Sequence, residues 1–490
     1  MSSTPTSDIA IKAIQDAGLS DILVLPSSDL YATRIDSYWS LTAKLRPWAL
    51  ILPRTPAEVA ATVRALVSVS GLQFAVRSGG HMQNAASNNI TEGVTIDLGH
   101  LKTVTYNEET KIASLQPGAR WRDVYGVLEP AGVTVPGGRF GDVGVGGYLL
   151  GGGISYFNPR VGFACDSIIR YEIVLANGDL VEVSDKDHPD LFIALKGGGN
   201  NLGIVTRFDM QTFENPKLWG GLGIYEGKNG QSVMSAFDSY MKESVKRPDG
   251  IFLLFWTVGA KPIDSCIVVL VGLDNREDEE LFGPLLEMPT IQGEYKADNT
   301  VGQLAEAFGA APGKHVTWRN ICFRNNTSLI QKAYEVAFKL HRDIMALGVE
   351  GDVSFVPGVQ PMYRASMEQS SARGGNLFNL PASRSGTDAT YSTIPHDSVM
   401  FFFQAEFTTA ELLDAAIPLI NDCFAKFEKK IEELNAVTPW RYLNYSDLSQ
   451  DPLSSYGSAA VELLRGVSRR YDPEGVFQER VKGGFKIPDA

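Results

Sequence analysis

Between Pro136 and Gly153 nine of eighteen residues are glycine, in the order Pro-Gly-Gly-Arg-Phe-Gly-Asp-Val-Gly-Val-Gly-Gly-Tyr-Leu-Leu-Gly-Gly-Gly. Glycine loses more conformational entropy on folding than any other residue, so a run this dense needs a physical reason. The reason is room: without Cβ the backbone can press against a second backbone, a planar ring or a phosphate. The spacing is not that of a dinucleotide fingerprint, because Leu149 falls where the third glycine after Gly144 and Gly146 would stand. No GxxxxGK[ST] run is present either. Tight turns in a β-rich core are the competing explanation, and the density of glycine argues against them.

A second segment, Arg77-Ser78-Gly79-Gly80-His81, ends a strand with two glycines and presents a histidine at the tip. Neutral imidazole is a nucleophile, and neighbouring backbone N–H groups can hold an anion. Alone, this segment reads as a turn histidine.

The 490 residues predict two or three structural units. Residues 9–18 predict a short amphipathic helix. Trp48–Pro53 and Phe74–Arg77 read as strands flanking a helix over Ala57–Val69, capped by Thr55 with Pro56 in its first turn. Strands follow at Val94–Leu98, Ile112–Leu115, Ile168–Leu175 and Leu180–Val183, with Asn177-Gly178 as a hairpin signal between the last two. From about residue 214 strands such as Phe252–Trp256 and Cys266–Gly272 alternate with long periodic helices, Leu329–Leu347 and Thr409–Leu434. After Pro439 the glycine-rich, aromatic texture returns. The simplest organisation is an α+β domain, split into 1–213 and 439–490, with a second domain over 214–438 inserted into it.

Net charge is −13, which argues against nucleic acid and anionic membranes as partners. Cys165, Cys266, Cys322 and Cys423 are widely spaced and read as buried thiols. His100, His188, His315, His341 and His396 make no metal-ligand spacing, and His188-Pro189 reads as a turn. HExxH and GxSxG are absent. No basic segment followed by an apolar run opens the chain and no apolar run is long enough to span a bilayer, so a cytoplasmic location is expected and the sequons at Asn89 and Asn326 are expected to be idle.

Taken together, the glycine tract and the 77–81 segment resemble the FAD-linked oxidases of the vanillyl-alcohol oxidase type, in their berberine-bridge-enzyme-like branch and with the texture of fungal members. The resemblance extends over Gln116–Ala119, Gly162–Asp166, Val174–Gly178, Lys196–Thr206, Tyr442–Tyr445 and Tyr471–Phe477. It implies a split FAD-binding domain of the PCMH type and an inserted substrate domain of antiparallel sheet backed by helices. His81 matches the histidine bonded to the flavin 8α-methyl, and residues 77–80 match the loop around the FAD pyrophosphate. Gln83, Gly138, Asp142, Val143, Gly144, Gly146, Gly147, Gly152, Ile204 and Asn444 are implied cofactor neighbours. A second, cysteinyl link found in some relatives aligns with Phe140, so one covalent link is expected. Val143 aligns with a small residue that admits oxygen. Tyr148 stands where a histidine is more frequent.

For catalysis the resemblance implies Tyr442 and Tyr445 as the tyrosine pair over the flavin, the second taking a substrate proton as hydride passes to the flavin. Gln404, whose face Glu406 shares by strand alternation, is implied as a substrate contact. Which residue is the base is open at this point, and Asp447 is read as turning the loop after Tyr445. The implied activity is an FAD-dependent oxidase of a small natural product in secondary metabolism, with O2 as acceptor. Oxidation of a sugar C1 hydroxyl, oxidative cyclisation or double-bond isomerisation, and a flavin-binding module without turnover are the alternatives.

Overall fold

The computed structural model describes residues 6–258, 265–307, 309, 311–380 and 391–489. Met1–Pro5, at the head of the segment read above for a leader, lie outside the described residues. The chain forms three principal sheets, and the order in which it visits them brings its two ends together.

The first sheet has the order Leu23–Val24, Ala49–Ile51, Val94–Asp97, Phe74–Arg77, with the last three strands parallel. Parallel neighbours need a crossover, and the helix Pro56–Val67 supplies it between Ala49–Ile51 and Phe74–Arg77. That helix starts where the sequence predicts: the Glu58 N–H donates to Thr55 Oγ1 (3.2 Å) and Pro56 occupies the first turn. Val59, Val63 and Leu66 bury its inner face with Ile96 and Phe74, and Ile14 of the N-terminal helix Thr6–Asp16 joins them. Val476, Phe477 and Val481 complete the same core from the far end of the chain.

The second sheet is antiparallel, in the order Val104–Asn107, Ile112–Leu115, Ile204–Gln211, Ile168–Val174, Leu180–Ser184. Its Asn177-Gly178 hairpin forms as expected. The connection is a three-residue loop inside the Leu175–Asp179 pairing, with Gly178 at φ +80°.

The third sheet is the largest, with nine antiparallel strands among the described residues between Leu218 and Thr438. At its centre Ser398–Phe407 lies beside His315–Arg324 on one side and Gly358–Met362 on the other. Helices Gly230–Ser244, Thr327–Met345 and Ala410–Glu433 form the layer that backs it. The period of two is explicit: Phe401 and Phe403 pack on Phe424 of the last helix, whereas Phe402 packs on Trp318 and Tyr445 at the opposite face. The helix expected over Leu329–Leu347 starts two residues earlier. Asn326, read only as part of a sequon, caps it by accepting from the Ser328 and Leu329 N–H groups.

The segment after Pro439 leaves this sheet and is held to it by polar contacts in a dry setting. Arg319 Nε sits 2.7 Å from Asp447 Oδ2, both side chains less than a tenth exposed. Asp447 also turns its own loop, accepting from Ser449 N–H (3.0 Å), the role read for it above. Among the described residues no helix is long and apolar enough to cross a membrane.

Candidate active site

The two glycine segments meet backbone to backbone. A Cβ placed on Gly79 would lie 2.6 Å from Gly144 Cα, and one on Gly144 would lie 2.5 Å from the Gly79 nitrogen. No side chain fits between them, which accounts for glycine at both positions. Ser78 Oγ locks the contact by donating to Pro117 O and accepting from the Gly146 N–H (3.2 Å). Arg120 Nη2 donates to Gly79 O (3.2 Å). Gly80 turns the chain at φ +73° and His81 follows, its ring stacked on Trp39 with centroids 4.5 Å apart and planes 11° from parallel.

These segments form one wall of a cavity whose other walls come from residues 199–205, the Tyr442–Tyr445 turn and Trp318 with Gln404 of the large sheet. Of the implied cofactor neighbours and the catalytic candidates Tyr442, Tyr445 and Gln404, all line it except Arg77, Asp142 and Gly152. The Arg77 side chain turns away, donating to Arg34 O (2.7 Å) and Ser37 Oγ (2.8 Å) and pairing with Asp97 (3.5 Å). Asp142 points to solvent and pairs with Arg122 (2.6 Å). Gly152 makes room for the Phe378 ring, 2.9 Å from where its Cβ would be. The resemblance placed these three beside the cofactor, but side-chain direction is set by tertiary partners.

The cavity fits FAD in its donor set. Among the described residues the N–H groups of Gly79, Gly80 and His81 find no protein acceptor, which suits an anionic diphosphate. Ser87 Oγ and Asn88 Oδ1, also in the lining, are buried without a partner. The atom-free space is about 1710 Å³, with the open mouth included. Phe140 lines the wall and no cysteine does; Cys165, Cys266 and Cys322 are buried and Cys423 is half-buried.

His81 is electrostatically distinctive. Burial, then the positive charge of Arg120, push its imidazole down to about 4, with Asp142 opposing. The ring is therefore neutral at physiological pH, the state that carries a free lone pair.

Opposite, Tyr442 and Tyr445 stand edge to face at 4.9 Å. They differ in surroundings. Tyr442 is fully buried, its hydroxyl accepts from Asn444 Nδ2 (3.0 Å), and burial followed by the nearby Tyr445 raises its pKa above the usual phenol range. Tyr445 is half-buried, lies against Trp318 (4.4 Å) and accepts from Arg139 Nη2 (3.2 Å). Gln404 donates to Glu406 Oε1 (2.5 Å), so the alternation placed both on one face. Burial raises the Glu406 carboxyl, opposed by that hydrogen bond and by Lys314. Tyr148 holds the glycine tract by donating to Gly137 O (3.0 Å).

The turn carrying the tyrosines hangs on Asn320. Its amide donates to Tyr442 O and Ser446 Oγ (3.0 Å each) and accepts from the Tyr442 N–H (2.8 Å). Gln83 Nε2 and Asn84 Nδ2 reach Ser446 O (3.2 and 3.0 Å), so the His81 loop and the tyrosine turn are joined directly. Sequence reading missed Trp39, Trp318, Asn320 and Arg139. Only Arg139 left a trace, as the single basic residue inside the glycine tract.

Residues 47–184 match the family described as "FAD binding domain". The chain is 33% identical over 488 residues to the FAD-dependent monooxygenase sdcF of Emericella nidulans, covering 98% of both chains. Its fold is similar to that of BBE-like 1 of Physcomitrella patens, with TM-score 0.73 and 19% identity over 96% of this chain and 97% of the other. It is equally similar to the glucooligosaccharide oxidase of Acremonium strictum, a protein with a 6-S-cysteinyl, 8α-N1-histidyl FAD, with TM-score 0.74 and 18% identity over 98% of each chain.

The dependence of the tyrosine turn on Asn320 is testable. Asn320→Ala orphans buried backbone groups of Tyr442, at about 1–3 kcal/mol for each unsatisfied group. Urea denaturation is expected to show a loss of about 2–5 kcal/mol on that basis, and a loss below about 1 kcal/mol would mean the turn is held by packing alone.

Proposed function

Since the chain belongs to the family of FAD-dependent oxidoreductases that includes sdcF, we propose that it is of the vanillyl-alcohol oxidase type, in the berberine-bridge-enzyme-like branch, that it carries FAD on a single histidyl link at His81 and that it oxidises a small natural product of secondary metabolism, with O2 as acceptor and H2O2 as product. The observation that carries this reading is the His81 imidazole, stacked on Trp39 beside the Gly79–Gly144 contact, where among the described residues the backbone N–H groups of Gly79, Gly80 and His81 have no protein acceptor. Bound FAD supplies the two-electron chemistry and its return to the oxidised state by oxygen.

The residues divide the remaining work. Gly79, Gly80 and His81 offer N–H groups to the diphosphate. Trp39 fixes the His81 ring, so its lone pair is held in one direction. Tyr445 takes the substrate proton at its phenolic oxygen. Its hydroxyl accepts a hydrogen bond from Arg139 Nη2 at 3.2 Å, whereas that of Tyr442 accepts from the Asn444 amide. Gln404 orients the substrate from the sheet, and Val143 leaves the wall low where oxygen approaches. The PCMH-type division into 1–213, 214–438 and 439–490 belongs to the same reading. The largely apolar, aromatic walls around Trp318, Phe140 and Tyr442 favour a natural product over a sugar.

The monooxygenase name of the 33% identical relative supports a second reading, oxygen insertion. Photoreduced holoenzyme mixed with aerated buffer distinguishes them: one H2O2 per flavin supports the oxidase, and with a turned-over substrate, isotopic oxygen in the product would replace it with the monooxygenase.

Acid precipitation of the holoenzyme is expected to leave the flavin in the pellet, and His81→Ala to release it. Because His81 stays neutral above about pH 4, covalent incorporation of FAD into apoprotein is expected to proceed at one rate across roughly pH 5.5–8. A rate halved near the ordinary histidine value of about 6.5 would contradict the neutral-imidazole argument.

Tyr445→Phe is expected to retain flavin and slow its reduction by substrate about 100-fold or more, within the range for a positioned base. Tyr442→Phe is expected to have a much smaller effect. Stopped-flow reduction measures both, and unchanged reduction in Tyr445→Phe would remove it from the mechanism.

A further inference from the structure

Arg139 is a buried cation without a buried anion. Its side chain rises from the glycine tract and is 9% exposed. Both hydrogen bonds it makes leave from Nη2, to Gln360 Oε1 (2.9 Å) and the Tyr445 hydroxyl (3.2 Å), and both partners are neutral. Among the described residues no carboxylate pairs with it and no acceptor serves its Nε or Nη1. A guanidinium has five N–H donors and does not lose its proton in a protein, so it cannot escape the cost of burial by neutralising. Proteins ordinarily meet that cost with a paired anion.

The position of the residue says where the anion comes from. Arg139 lines the main cavity beside Tyr445 and also the wall of a small recess behind it, where Asn158 Nδ2 and Ser366 Oγ are buried without partners. Ile154, Trp318, Tyr442 and Phe140 line the same cavity. The protein as a whole bears net charge −13, a field that repels anions unless a local cation overrides it.

We propose that Arg139 is a specificity-determining residue that receives an oxyanion of the substrate, a carboxylate or the ionised hydroxyl of a phenol or enol, at the Tyr445 end of the cavity. This rests on the reading of that cavity as the substrate site. Nη2 keeps Tyr445 in place while Nε and Nη1 face the incoming oxygen. The remainder of the substrate, flat and apolar, lies among the aromatic side chains.

The test uses calorimetric titration of the holoenzyme with two pairs of probes of matched shape: benzoate against benzamide, and 4-nitrophenolate against 4-nitroanisole. The anion of at least one pair is expected to bind about tenfold or more tightly than its neutral partner, as a charge-assisted hydrogen bond in a dry site would give. The pair that shows the preference identifies which oxyanion the site takes. Arg139→Gln is expected to bring the two members of that pair within about twofold of each other, and Arg139→Lys to restore part of the difference. Acid-stable flavin and the melting temperature establish that each variant is folded and loaded. Equal binding of anion and neutral probe by the unaltered protein, or a preference that survives Arg139→Gln, would overturn the proposal. Tyr445→Phe separates it from the catalytic reading: slow reduction with intact anion preference supports the Arg139 site alone, whereas loss of anion preference in Tyr445→Phe with Arg139 intact would assign the recognition to the phenol and overturn it.

Discussion

Everything at the site is referred to one contact, the approach of Gly79 to Gly144 at a distance that excludes even a methyl group. It brings together two loops from different sheets: one leaves the parallel strand Phe74–Arg77, the other precedes the short helix Val145–Leu150. Ser78 and Arg120 then fix the height of the join through backbone oxygens. Once it is made, the chain beyond Gly80 has one way to continue, and His81 lands flat on Trp39. The glycines' conformational cost is offset by this definition of position, which side chains at either residue would destroy.

The second requirement is that the wall carrying His81 and the aromatic wall keep their spacing, although one belongs to the small sheets and the other to the large one. Rigid strands do part of this. Along Ser398–Phe407 the two-residue period sends Phe401 and Phe403 into the helical layer and Phe402 and Gln404 toward the cavity, so one strand carries both core and site. Polar groups do the rest. Asn320 fastens the tyrosine turn, the Arg319–Asp447 pair anchors the chain just after it, and Gln83 with Asn84 spans to the His81 loop. Each of these is buried, so loosening one exposes unsatisfied groups and the arrangement tolerates little drift.

What the sequence made legible follows from which forces are local. Apart from the first helix, which runs Thr6–Asp16 where residues 9–18 were expected, helix starts, the Asn177-Gly178 hairpin and the alternating strands are written in capping, turn chemistry and periodicity, and they appear within a residue or two of expectation. The glycine tract announced a close approach because only glycine permits one. The directions taken by Arg77, Asp142 and Gly152 were not legible, since each is decided by a partner distant in sequence: Asp97 and Ser37, Arg122, and Phe378. Trp39 was invisible for the same reason, lying 42 positions before the histidine it stacks on. Asn326 shows the converse error, a local signal read in the wrong vocabulary: the residue type that forms a sequon is also the one that caps a helix.

The electrostatics of the cavity run against those of the molecule. An acidic protein has placed one guanidinium group behind His81 and another beside Tyr445, and the two do different work: Arg120 acts on its neighbour through charge, Arg139 through a hydrogen bond. Beside an imidazole, a positive charge disfavours protonation and keeps the lone pair available. Beside Tyr445, Arg139 donates a hydrogen bond to the hydroxyl and fixes its direction. One type of side chain thus sets the charge state of a ring at one end of the site and the direction of a hydroxyl at the other, within a protein of net charge −13.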